Sequence, residues 1–211
     1  MFSTIKSKKE PKQGWVIQGN IFYGQRRYEE ALMAFDAALN LNPKNDHGGK
    51  MSRRAEQLAN RIEEGAGGLA AFAETLSDAE WHMPVSQTDR RPIGVIVHHV
   101  ASVYPLEVDA ARAIAGGNAV TEVTWEAVAA MNAKHADSER EITKEVALEL
   151  LRKNSRAAAA AVRAFTDDEL DGSAPFSLSY GAPMTAQFVI EDHALRHSWH
   201  HLAKIRKAVG R

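Results

Sequence analysis

The 211-residue sequence contains no cysteine. Disulfides, zinc ribbons, iron–sulfur clusters and cysteine nucleophiles are therefore excluded as chemistry of the chain itself. There is also almost no net charge, with 26 Lys and Arg against 27 Asp and Glu. The chain lacks the basic excess that drives phosphate-backbone binding, so no nucleic acid partner is expected. Long apolar runs are missing, and none approaches the ~20 residues of a membrane span. Phe2 and Ile5 are followed by Lys6, Lys8, Lys9 and Lys12 rather than by an apolar stretch, which is not the pattern of a secretory signal. The expectation is a soluble, cytoplasmic protein with no membrane partner. Aromatics are few, at 7%, yet 45% of the residues are hydrophobic, enough for a packed core. What the sequence has in plenty is histidine, nine in all.

Composition divides the chain in two. Residues 1–50 hold eight Lys and Arg against five Asp and Glu, a net charge of +3, which leaves −4 for the remainder. Asn45 to Lys50 is polar and glycine-rich, as a linker is, and Met51 follows it directly. The expected domains are 1–50 and 51–211. In the first, Trp15, Gly19, Phe22, Ala31, Phe35, Ala38 and Pro43 alternate bulky and small residues as two closely crossing helices require. This set resembles one tetratricopeptide repeat over roughly residues 12–45, departing from that pattern at Gln18 and Arg26. No second copy follows 34 residues on. A lone hairpin cannot bury its own apolar face, and grooves are built by stacked repeats. It therefore reads as an appended hairpin, with a protein partner as its functional alternative.

From Met51 onward the periodicity is helical, and the expected fold is all-α, a four-helix bundle. Leu58, Ile62, Leu69, Phe72 and Leu76 form the stripe of a first helix, weakened at Gly65, Gly67 and Gly68. Pro92 suits the start of a second, which stops at Gly116-Gly117 and is interrupted by Pro105, a predicted kink. Thr124 caps a short helix towards His135, Thr143 opens a long one through Phe165, and Thr185 caps a last one reaching Val209. Residues 166–184 read as a loop in which Phe176, Leu178 and Tyr180 alternate as in a short hairpin or an extended arm.

Six histidines fall in two of these helices. Helical phase puts His99 on one stripe with Val95, Ile96, Val103 and Leu106. It puts His197 and His201 on another with Ile190, Ala194, Ile205 and Ala208. His98, His193 and His200 fall on more solvated sides. An i, i+4 histidine pair aims both imidazoles at one spot, and a third from a facing helix leaves a fourth position open. That is the ligand logic of a catalytic metal site, for which His99, His197 and His201 are the candidates, and imidazoles suit zinc, nickel or iron. The competing account is three buried histidines, each needing its own hydrogen-bond partner. No serine–histidine–acid triad, phosphate loop or paired-carboxylate motif stands out. Glu107, Glu191 and Asp192 are candidate partners for imidazole N–H groups, though each reads first as a solvated helix charge. Trp81, Trp125 and Trp199 read as packing residues.

Two runs carry a wider resemblance. One is Leu76-Ser-Asp-Ala-Glu-Trp81 with Asp89-Arg-Arg-Pro-Ile-Gly-Val-Ile-Val-His-His99-Val-Ala, and the other is His193-Ala-Leu-Arg-His197-Ser-Trp-His-His201-Leu-Ala. Over about residues 51–209 the chain resembles the DinB-like family of metal-binding four-helix bundles. The resemblance implies ligands at His99, His197 and His201, the same three that helical phase selects. It also implies a divalent metal and a small-molecule substrate, with a low-molecular-weight thiol as cosubstrate. The implied activity is that of a thiol-dependent S-transferase, isomerase or hydrolase. The alternative is a non-catalytic scaffold, in which the N-terminal repeat binds a protein partner and the bundle pairs as a homodimer.

Overall fold

A computed structural model describes residues 52–211, within the compact unit Met51–Arg211. The hairpin and linker expected for residues 1–50 lie outside the described residues. The first long helix, α1 (Arg53–Glu74), begins where the Ser52 hydroxyl accepts from the Ala55 N–H. A one-turn helix, α2 (Asp78–His82), is closed by a reciprocal capping box between Ser77 and Glu80. It leads through a bend into α3 (Ile93–Ala115), then α4 (Trp125–Ser138) and α5 (Lys144–Arg163). Thr124 and Thr143 cap the latter two as the sequence suggests.

The segment 166–184 is more ordered than a loop. Thr166 and Glu169 form a second capping box and start α6 (Asp167–Asp171). Strands β1 (Ser173–Phe176) and β2 (Ala182–Thr185) then pair antiparallel, Ser173 facing Thr185 and Phe176 facing Ala182. Tyr180 (φ 57°) and Gly181 (φ 79°) turn the hairpin, both in the left-handed region that suits a tight reversal. Thr185 caps α7 (Ala186–Val189), which passes through a π-helical segment (Ile190–Leu195) into α8 (Arg196–Ala208). The single last helix expected from the sequence is therefore a helix with a wide turn at its middle.

Four long elements make the bundle. Helix α5 packs along both α1 and α3, and α8 with the π segment packs along α1 and α3 from the other side. The consecutive helices α1 and α3 therefore sit on a diagonal, with α2 in the crossover between them. Helix α5 supplies small residues, Ala147, Ala158 and Ala159, alongside Leu151 and Val162, all buried, which lets its neighbours approach closely. Helix α3 is covered on most sides, and its buried set includes Ile93, Val95, Ile96, Val97, Val100 and Tyr104. The two glycines that matter here are close approaches. A Cβ at Gly94 would lie 2.4 Å from the indole of Trp81, and one at Gly65 would lie 2.7 Å from that of Trp199. Trp81 is buried and its indole N–H donates to the Ile142 carbonyl at 2.9 Å. Trp125 and Trp199 are exposed instead, at 51% and 40%, because each lies on an outer helix face.

Helix α3 runs unbroken through Pro105. Proline has no N–H, so the Ala101 carbonyl four residues back loses its helical donor. The side-chain amide of Asn154, buried on α5, donates to that carbonyl at 2.9 Å. The carbonyl that Pro105 leaves without a helical donor, half a turn beyond His99, is thus satisfied from a neighbouring helix.

Candidate metal centre

His99 enters the site from α3 because Val95, Ile96, Val100 and Val103 pin that helix into the core on either side of it. His197 and His201 enter from α8, one turn apart, anchored by the buried Leu202 and Ile205. Tyr104 and Ser198 join the two helices in a buried hydroxyl–hydroxyl hydrogen bond of 2.6 Å, one residue from His197. This bond fixes the register of α8 against α3 just after the π segment. Burial pushes the Tyr104 phenol upward, so it stays neutral.

The three expected residues come together. One potential ligand atom from each of His99, His197 and His201 lies within 4.8 Å of the others. The His99 ring stands edge-on to both partners, with centroids 5.0 Å from His197 and 5.8 Å from His201. His99 and His201 are each 6% exposed, whereas the His197 side chain keeps 20% of its surface and forms the open edge. Burial first, and the neighbouring His197 second, push His99 down to about 3 and His201 down to about 2. Both are therefore neutral imidazoles with a lone pair at neutral pH, the form in which histidine ligates metals.

Hydrogen bonding in the cluster is uneven. Nδ1 of His197 lies 2.6 Å from Oε1 of Glu107 on α3. With only 9% of its side chain exposed, Glu107 is not the solvated charge that its sequence context suggests. Nδ1 of His201 is buried and has no hydrogen-bond partner, and the same holds for Oε2 of Glu107. Imidazole nitrogens shielded from water and lacking protein partners are unfavourable in an ordinary core, by about 1–3 kcal/mol each. Three imidazoles converging from two helices, two of them buried and one with an unpaired nitrogen, are a donor set that fits a divalent metal.

The other histidines are arranged differently from the phase expectation. His98 is half-buried, and its Nδ1 lies 2.9 Å from Nε2 of His135 on α4, with the rings stacked 16° from parallel. The His135 ring also stands 5.7 Å from that of His99. The sequence marks His135 only as the end of a helix. His135 shares a half-buried face of α4 with Val128 and Asn132, spaced i, i+4, i+7, which burial shows and apolar patterning does not. His193, in the π segment, packs edge-on to the buried Phe176 with centroids 5.4 Å apart. Of His98, His193 and His200, only His200 is exposed. Glu191 accepts from the Gln187 amide, and Asp192 pairs with Arg196. Tyr180 stands 94% exposed at the hairpin tip, while Tyr104 and Phe176 are sealed in the core, so these three line no common channel.

The DinB superfamily model matches residues 61–205, a span that holds all three clustered histidines. The chain belongs to the DinB superfamily. A solved structure similar to this DinB protein is that of YfiT from Bacillus subtilis, described as a probable metal-dependent hydrolase with an unusual four-helix bundle topology. The TM-score is 0.62 over 79% of this chain and 92% of that one, at 17% sequence identity. At that identity the likeness speaks for the fold. No curated protein sequence matches the chain. Among the described residues no helix is long and apolar enough to cross a membrane.

Proposed function

We propose that this DinB protein is a metal-dependent enzyme in which His99, His197 and His201 hold one divalent ion, zinc, nickel or iron. The reaction is a thiol-dependent transfer or a hydrolysis. The observation that carries the reading is the convergence of three imidazoles within 4.8 Å, two of them almost fully buried. Three nitrogen ligands leave a coordination position for a reactant, unlike a closed four-ligand structural site. A bound divalent ion lowers the pKa of a thiol or a water beside it and so supplies a nucleophile near neutral pH. The protein's own part is to keep His99 and His201 buried and unprotonated and to orient His197 from α3. The lack of cysteine agrees with a thiol brought in as cosubstrate.

The test is turnover by metal-reconstituted protein on electrophiles and on hydrolysable esters and amides, each with and without a small thiol. Turnover that requires both the ion and the thiol supports the transferase form. Turnover that requires the ion alone supports the hydrolase form. Turnover unchanged in His201→Ala would contradict the site, and a loaded protein inert on every substrate would contradict the enzyme reading.

A further inference from the structure

The geometry points to Glu107 as a positioning residue of this centre. It holds His197 in the Nδ1–H tautomer, so that Nε2 faces the cluster, and places a buried negative charge that favours a divalent cation there. This inference rests on the metal-binding reading above and deepens it.

Glu107 lies two turns beyond His99 on α3, the same helix that supplies the first imidazole. Its Oε1 is 2.6 Å from Nδ1 of His197, the length of a strong, charge-assisted contact. A carboxylate accepts and cannot donate, so the proton sits on Nδ1 and the lone pair on Nε2. Free imidazole has no such constraint. The second oxygen is more telling. Oε2 is buried with no hydrogen bond, and among the described residues His197 is the only ion-pair partner of Glu107. A buried carboxylate without a full counter-charge is strongly disfavoured. A divalent ion held by the three imidazoles would supply the missing charge, and the carboxylate would in return make the His197 ring a better donor. Carboxylate–histidine pairs of this kind set ligand orientation and metal affinity in other sites. The competing arrangement is a plain ion pair with a doubly protonated His197, which has no lone pair to offer a metal.

The experiment uses the full chain and its Glu107→Gln and Glu107→Ala variants. Long-range nitrogen–proton NMR of the metal-free proteins at pH 7.5 reads the His197 tautomer, and competition titration with a chromophoric chelator reads zinc affinity. Wild type is expected to show Nδ1–H alone. Glu107→Gln keeps that tautomer, because its amide oxygen still accepts, and binds zinc less tightly. Glu107→Ala shifts toward Nε2–H and loses about 10- to 100-fold in zinc affinity. Nε2–H or a doubly protonated ring in wild type overturns the inference, as does zinc binding by Glu107→Ala within about 3-fold of wild type. If Glu107→Ala does not fold, Glu107→Gln decides: unchanged zinc affinity overturns the role of the charge. A wild type that binds no metal would defeat the proposed function, while the tautomer would still decide whether Glu107 positions His197.

Discussion

His99 and His201 are held far below the usual histidine range by burial, and that has a consequence for stability in the metal-free protein. Their folded values, about 3 and about 2, lie below the ordinary 6.5. Between those limits the unfolded chain binds protons that the folded one does not, so stability falls as the pH drops below 6.5. Asp109 acts in the opposite sense, since burial pushes it up to about 6 from 3.8 and its folded form takes up a proton first. His98, His193 and His200 are lowered by burial in the same sense as His99 and His201, so the histidines outweigh Asp109 and stability should fall as the pH drops from 6.5. Urea unfolding of the chelator-treated protein at pH 7, 6 and 5 checks this, and a stability that is flat or rising toward acid would contradict it.

At the scale of elements, α3 is the frame of the site, and its weak point is Pro105. The Asn154 amide replaces the donor that Pro105 withholds from Ala101. Asn154→Ala is therefore expected to lower stability by about 1–3 kcal/mol by orphaning a buried carbonyl. In a Pro105→Ala background, where residue 105 regains its N–H, the same change should be milder. Equal losses in both backgrounds, read by thermal or denaturant melts, would dismiss the coupling. The two close glycines separate in the same way. Gly94→Ala drives a methyl into the buried Trp81 and should destabilise by about 1–3 kcal/mol. Gly65→Ala meets the exposed Trp199, which can swing outward, so it should be near neutral once helix propensity is counted.

Much at this scale is legible in the sequence. The threonine caps at positions 124, 143 and 185 and the apolar stripes place the long helices, and phase brings His99 to His197 and His201. Three features are not legible. The π segment has no composition of its own, because its wide turn is set by packing around Ile190, Ala194 and Leu195. Glu107 reads as solvated because helical periodicity does not say which flanks of α3 its neighbours cover. His135 lies on a helix with no fully buried residue, so hydrophobic patterning has nothing to mark.

For the whole molecule, the cluster ties α3 to α8, two bundle elements separated by about 80 residues of chain. A ligand that binds only the folded form stabilises it by mass action, by about 2.7 kcal/mol at a hundredfold excess over its dissociation constant. Saturating metal should therefore raise the melting temperature of wild type and leave that of His197→Ala in place. An equal rise in both would locate the binding elsewhere. The most direct test of the central claim is metal stoichiometry by elemental analysis after equilibration with zinc and removal of excess. It is to be run on wild type and on His98→Ala, His99→Ala and His201→Ala. The expected result is one ion per chain in wild type and His98→Ala, with little in His99→Ala or His201→Ala. Metal-free wild type, or an ion kept by His99→Ala but lost from His98→Ala, would contradict the account.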